Sequence, residues 1–151
     1  MKKACPCHSG LEYRTCCGPF HAGAAAPTPE AQMRSRYAAF ALGLGEYLVD
    51  TQSPAPEPRD EAIRTLSRAK ETQRFLGLRI VHARADEAQG EVLFLARIFE
   101  KGKDQSFAEL SAFQRHEGRW FYVDGTLLPT ALLPADRERL TLEEFRELTS
   151  P

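Results

Sequence analysis

Four cysteines stand close together near the start of this chain, and their types and spacing are those of a metal site. The 151-residue sequence has no other cysteine. Cys5 and Cys7 can hold an ion from one side of a turn, because Ser9-Gly10 lets the backbone reverse direction. Cys16 and Cys17 supply a second pair. Four thiolates around a redox-inert ion without a geometric preference is the usual arrangement of structural zinc, so we predict a zinc site here.

Two histidines leave alternatives for the fourth ligand. His21 could replace Cys17, and His8 ranks third because it lies inside the turn. An iron–sulfur cluster is the other metal that thiolates accept, but no companion motif supports it. A closed site with four protein ligands has no open position for water or substrate, so we expect a structural rather than a catalytic role.

The clustering of the thiols indicates metal rather than a disulfide framework, which would spread its cysteines along the chain. Lys2 and Lys3 precede no apolar stretch, so we expect no secretory signal and a cytoplasmic location. No run is long enough to cross a bilayer, and we expect no membrane partner. The formal net charge is −1, so no overall field attracts nucleic acid.

Helical spacing begins after a linker over residues 22–29. Thr28 is a predicted N-cap, and a run of apolar residues three and four positions apart follows it. That run contains Met33, Tyr37, Phe40, Ala41 and Leu44. Glycines at 43 and 45 predict a break and a short helix over 46–49, and Asp60 opens a further helix.

The second half of the chain has the pattern of an antiparallel meander. Strands are predicted over residues 78–85, 92–99, 107–115 and 119–124, with Asp124-Gly125 ending the last one. The turns between them fall at 86–90, 101–104 and 117–118. Helices followed by hairpin-connected strands make an α+β fold.

Three parts follow from this pattern. Residues 1–21 form the metal-binding module, residues 28–133 the main domain and residues 134–151 a C-terminal helical tail. Within the tail, residues 136–148 have amphipathic spacing. Thr141 and Glu144 have the spacing of a capping box.

The run from Cys5-Pro6-Cys7-His8-Ser9-Gly10 to Cys16-Cys17-Gly18 resembles the SEC-C motif, named from the C-terminal tail of the SecA translocation ATPase. The motif usually has glycine where this chain has His8. Its fourth ligand is a histidine or cysteine directly after the third, which matches Cys17.

The rest of the chain resembles the YchJ-like family of bacterial proteins. The matching runs are Met33-Arg34-Ser35-Arg36-Tyr37, Phe75-Leu76-Gly77-Leu78 and Gly118-Arg119-Trp120-Phe121-Tyr122-Val123-Asp124-Gly125. The resemblance implies a nuclear transport factor 2-like domain, in which a curved antiparallel sheet wraps around helices and leaves a cone-shaped cavity. A Glu-Arg-Ser-Arg-Phe run of the family appears here as Glu109-Leu110-Ser111-Ala112-Phe113. Several members carry a second SEC-C motif at the C-terminus, where this chain has its helical tail.

One functional hypothesis is a small-molecule site or an enzyme that uses the cone cavity around Glu109. We expect this carboxylate, which lies mid-strand between apolar neighbours, to pair with Arg34 or Arg36. Tyr122 and Asp124 complete the candidate pocket. No nucleophile–base pair or phosphate loop is present, so we assign no catalytic residue.

The other hypothesis, which we favour, is an interaction protein. The SEC-C resemblance implies ribosome-associated or protein-export partners. Lys2, Lys3 and Arg14 give the module local positive charge, and basic zinc knuckles can contact RNA or acidic protein surfaces. Three basic residues form a weak patch, so a nucleic-acid partner has little support.

Overall fold

The computed structural model describes residues 3–150. The helices are α1 (Gly18–His21), α2 (Pro29–Leu42), α3 (Gly45–Asp50), α4 (Arg59–Ser67), α5 (Ala69–Thr72) and α6 (Leu142–Thr149). The strands are β1 (Gln73–Ala85), β2 (Gln89–Glu100), β3 (Lys103–Asp104), β4 (Phe107–His116) and β5 (Arg119–Pro129). Short 3₁₀ turns cover Tyr13–Thr15, Thr130–Leu132 and Arg137–Arg139.

The strands form one antiparallel sheet in the order β1-β2-β4-β5, with β3 paired to the end of β2. Both residues of the turns Lys101-Gly102 and Glu117-Gly118 have positive φ, between 51° and 80°. Two such residues suit a two-residue hairpin, because their twist matches that of the flanking strands. The α+β fold with an antiparallel meander is confirmed. The turn predicted over 101–104 is shorter, since Lys103 and Asp104 already pair as β3.

The inner face of the sheet packs against α2. Alternate residues of β2 point to this face and are buried with Met33 and Tyr37 of the helix. These β2 residues are Val92, Phe94, Ala96 and Ile98. Thr28 caps the helix as predicted, its hydroxyl accepting a hydrogen bond from the Ala31 amide at 3.1 Å. The helix ends at Gly43, whose φ of 76° is left-handed.

The outer face of the sheet is covered by the C-terminal tail. Leu140 and Phe145 are buried against Leu93 of β2 and Ala108 of β4. The tail helix starts at Leu142, later than the predicted residue 136, because Thr141 caps it by accepting from the Glu144 amide at 3.1 Å. The helix therefore begins at the predicted capping pair, in which the Thr141 hydroxyl also donates to Oε1 of Glu144 at 3.2 Å.

All four long strands extend beyond their predicted bounds, and β1 and β5 do so by five residues each. β1 starts at Gln73, and Gly77 lies inside it beside a bulge rather than before it. β5 continues through Gly125 to Pro129. Gly125 faces Ser111 across the sheet, and a Cβ there would collide with the carboxyl group of Glu109. This glycine is required by packing inside a strand and does not end one.

Candidate metal centre and neighbouring cavities

The backbone of the cysteine cluster folds into a tight knuckle. The amide of Cys5 donates to the carbonyl of Leu11 at 2.9 Å, which closes the first loop. His8 and Gly10 have φ of 62° and 87°, so the chain reverses direction between the two cysteine pairs. A left-handed φ favours glycine, which explains why the SEC-C pattern usually has glycine at the position of His8.

The four sulfur atoms lie within 4.8 Å of one another. The Sγ atoms of Cys7 and Cys16 are 3.6 Å apart, and those of Cys16 and Cys17 are 4.0 Å apart. Zinc–sulfur bonds of ~2.3 Å in a tetrahedron require sulfur–sulfur separations of about 3.8 Å, so the spacing fits a zinc ion. All four thiols are free, and Cys5, Cys7 and Cys17 are buried.

The short distances between the sulfur atoms and their burial shift the pKa values of three of the thiols. The hydrogen bond with the Cys17 thiol lowers the pKa of Cys7 to about 4. The same interaction, together with burial, raises the pKa of Cys17. Burial raises the pKa of Cys5 to about 11. Cys7 is therefore more readily deprotonated than Cys5 or Cys17, and a bound dication would deprotonate its thiol ligands.

His21, the alternative fourth ligand, has both ring nitrogens in hydrogen bonds. Nε2 lies 2.8 Å from the carbonyl oxygen of Ser35 and must donate to it. Nδ1 lies 2.6 Å from the hydroxyl of Tyr13 and accepts from it in the neutral ring. Burial lowers the pKa of His21, which favours that neutral form. In this arrangement His21 anchors the module to α2 and has no nitrogen free for a metal.

His8 and Arg34 also attach the module to the main domain. Nε2 of His8 lies 3.0 Å from the carbonyl oxygen of Phe75 in β1, and His8 is outside the four-sulfur group. Arg34 donates to the carbonyl of Cys7 at 3.4 Å and pairs with Glu30 at 3.2 Å. The metal module is therefore fixed to both α2 and β1.

The basic flank of the module is small. Lys2 lies outside the described residues. Lys3 is exposed, and Arg14 pairs with Glu12 at 2.8 Å on the surface. Pairing leaves little of the expected positive patch on the described part of the module.

Glu109 borders a cavity of about 100 Å³ on the inner face of the sheet, which we call the Glu109 cavity. Its Oε2 accepts from the hydroxyls of Ser111 at 2.5 Å and Tyr122 at 3.0 Å. Arg36 lies over the ring of Tyr122, 4.8 Å from its centroid, and donates to the Leu48 carbonyl at 2.8 Å. Burial lowers the pKa of Arg36 to about 10, and burial beside Glu109 raises the pKa of Tyr122.

The predicted pocket is brought together only in part. Glu109, Tyr122 and Arg36 line the cavity, but Arg34 and Asp124 do not. Asp124 pairs with Ala112, one position from the inward-facing Ser111, and so lies on the outer face.

No direct salt bridge joins Glu109 to Arg34 or Arg36 within residues 3–150, although the Glu109 carboxylate favours the charged form of the buried Arg36. Tyr122 lies between the charges, its ring against the Arg36 guanidinium and its hydroxyl on the Glu109 carboxylate. Ser111 is the lining residue that the sequence reasoning missed. Its position two residues after Glu109 on the same strand was the available signal.

A larger cavity of about 500 Å³ lies where the metal module meets the main domain, and we call it the module groove. Its walls come from α1, the linker over residues 22–26, α3 and the start of β5. Aromatic side chains line it, together with the exposed carboxylates of Glu46 and Asp50 and the guanidinium of Arg119. These aromatic residues are Phe20, Tyr47, Trp120 and Phe121. Sequence reasoning did not foresee this groove, because its walls are far apart in the chain.

Among the described residues, no helix is both long and apolar enough to cross a membrane.

Two family models match this chain. The SEC-C motif matches residues 1–19, and the model described as "YchJ, middle NTF2-like domain" matches residues 28–125. A UPF0225 protein from Chromobacterium violaceum is 41% identical over 129 residues, which cover 82% of this chain and 93% of that protein.

Solved structures agree with these matches. A SEC-C motif containing protein from Rhodopseudomonas palustris is 40% identical with a TM-score of 0.70, covering 83% of this chain and 98% of that one. A domain of unknown function with a cystatin-like fold from Nostoc punctiforme is 18% identical with a TM-score of 0.50, covering 79% of this chain and 88% of that one. The second likeness concerns the fold alone.

Proposed function

Because this chain belongs to the UPF0225/YchJ family and carries a SEC-C motif, we propose that it is a zinc-binding interaction protein. The zinc is held by Cys5, Cys7, Cys16 and Cys17 and has a structural role. The supporting observation is the group of four free thiols within 4.8 Å of one another. Reduced thiols of this kind suit the cytoplasm, where we place the protein.

The partner binds at the module groove in this proposal. A structural metal affects binding most directly when its module forms part of the contact surface, and α1 and the linker are walls of this groove. Aromatic walls with two exposed carboxylates suit an apolar segment that carries basic side chains. Glu46 and Asp50 already hold one such cation, Arg59, at 3.6 and 2.8 Å.

Because the SEC-C resemblance implies ribosome-associated or protein-export partners, the ribosome is the first partner to test and an export ATPase the second. The zinc-loaded full chain is sedimented with purified bacterial ribosomes. In parallel, it is passed over the immobilised export ATPase. Phe20→Asp puts a charge into the groove, and Leu11→Asp is the matched control, an exposed apolar residue of the same module outside the groove.

We expect the wild type and Leu11→Asp to bind one of the two partners and Phe20→Asp and the chelated protein to lose that binding. Failure of the wild type to bind either partner would contradict the proposal. Equal binding by Phe20→Asp would contradict the assignment to this groove.

A second candidate function is binding of a small polar molecule in the Glu109 cavity. The observation that favours it is a buried guanidinium and a carboxylate around one space. About 100 Å³ holds roughly three water molecules and is well below the ~300 Å³ of ordinary ligand pockets. Native mass spectrometry of the wild type and Glu109→Gln tests it. A small molecule that co-purifies with the wild type alone supports this function, and identical masses after correction for the substitution contradict it.

A further inference from the structure

A groove of about 320 Å³ opens between the outer face of the sheet and the tail, near the turn Arg137–Arg139. Leu95 and Phe99 of β2 give it apolar walls. Gly77 stands opposite Arg97 across the strands, and a Cβ there would touch the Arg97 side chain. Three arginines from separate elements line this arginine groove: Arg79 of β1, Arg97 of β2 and Arg137 of the tail.

The three arginines differ from those at the other end of the same sheet face. There, Arg84 and Arg146 both pair with Glu91, at 3.4 and 3.3 Å. Within residues 3–150, the side chains of the groove arginines make no ion pair within 4 Å and no hydrogen bond, and the Arg97 guanidinium lies 5.9 Å from the centroid of the Phe99 ring. Like charges gathered around one space repel one another, and an anion between them would remove that repulsion.

Two carboxylates also line the arginine groove and limit what it can hold. Asp104 accepts from the amide of Ser106 at 2.9 Å, and its hydrogen bonds with Ser106, together with the charges of Arg137 and Arg97, lower the pKa of its carboxyl group. This carboxylate therefore offsets part of the positive charge of the two arginines. Glu138 is exposed on the tail. With three positive and two negative side chains, the lining favours an anion over a cation.

We propose that the arginine groove binds a small organic anion, a phosphate or carboxylate that carries an apolar group. Planar guanidinium groups bind the oxygens of either anion in pairs, and Leu95 and Phe99 receive the apolar part. The volume is at the lower end of the range for small-molecule sites. This site is separate from the metal centre and the module groove, and it includes a tail residue beyond the family match at 28–125.

Backbone NMR titration of the full chain tests the proposal with three probes. Phenyl phosphate and benzoate distinguish phosphate from carboxylate, and phenol is the neutral control. We expect saturable shifts at the amides of Gly77, Arg79, Arg97 and Arg137 with at least one anion, at a Kd below ~1 mM, and none with phenol. No saturable shift with either anion, or equal shifts with phenol, would overturn the proposal.

Exposed arginines can be replaced without loss of the core, which makes the variants informative. Arg97→Ala and Arg137→Ala should each weaken binding of the better anion by about tenfold or more, since each removes charge-assisted hydrogen bonds. Arg139→Ala, on the same turn but outside the lining, should bind as the wild type does. Unchanged binding by both groove variants would overturn the assignment to this site.

Discussion

The carboxyl group of Glu109 lies over Gly125 and fixes which residue that strand position accepts. A Cβ at Gly125 would overlap the carboxyl atoms, and the hydrogen bonds from Ser111 and Tyr122 hold the carboxyl group in place. We therefore expect Gly125→Ala to lower the free energy of unfolding by about 1–3 kcal/mol, measured by urea denaturation.

A double-mutant cycle separates this overlap from a general strand effect. Combining Gly125→Ala with Glu109→Ala should cost less than the sum of the two single variants, because the second change removes the colliding group. Strict additivity would show that the carboxyl group is not the cause.

The hydroxyl of Tyr37 gives the protein a pH dependence in the alkaline range. It donates to the carbonyl of Gly77 at 2.9 Å, and burial raises the pKa of Tyr37 to about 12. An unfolded tyrosine loses its proton near pH 10. The contribution of Tyr37 to the free energy of unfolding is therefore fully present below about pH 10 and is lost as the pH rises to about 12. Once the Tyr37 hydroxyl is fully deprotonated, the free energy of unfolding should be lower by about 2–3 kcal/mol.

Urea unfolding of the zinc-loaded protein at several alkaline pH values measures how steeply the free energy of unfolding falls with pH. Tyr37→Phe should show a shallower fall than the wild type, because one titrating group is gone. An equal slope in both proteins would show that Tyr37 does not contribute.

At the scale of elements, α6 stabilises the sheet chiefly through Phe145. This ring is fully buried against the outer face, while Leu148 on the same helix is 43% exposed. Phe145→Ala should lower the free energy of unfolding by about 3–5 kcal/mol, and the matched Leu148→Ala should change it by less than about 0.5 kcal/mol. Similar losses in the two variants would contradict the burial of this face by the tail.

The elements were predictable where local chemistry decides them. Thr28 and Thr141 cap helices through their own side chains, and Gly118 allows a tight hairpin. Strand ends were missed at Gly77 and Gly125, which local rules interpret as breaks. Both glycines are placed by tertiary structure: Gly77 lies beside a bulge in β1, and Gly125 lies against the carboxyl group of Glu109. Neither cause can be seen from the adjacent residues in the sequence.

At the scale of the whole molecule, the cysteine cluster was predictable because its ligands are close in sequence. The module groove and the arginine groove were not, since each joins residues that meet only after the sheet and tail are in place. The division at residues 21, 28 and 133 stays a prediction. His21 and His8 nevertheless bond the metal module to Ser35 and Phe75 of the main domain.

Removal of the metal should loosen the module while leaving the sheet folded. Hydrogen exchange of the chelated protein should become fast over residues 5–21, because zinc supplies most of the order in so short a segment. The strands β2 and β4 should stay protected, since their core does not contain the thiols. Fast exchange throughout the sheet would show that the metal holds the entire fold.

The four-thiolate zinc site is tested most directly by metal analysis of the tag-free full chain by plasma mass spectrometry. We predict one zinc per chain in the wild type and in His21→Ala, whose ring nitrogens are otherwise engaged, and a large loss in Cys17→Ala. Absence of stoichiometric zinc from the wild type, or retention by Cys17→Ala together with loss in His21→Ala, would contradict this site.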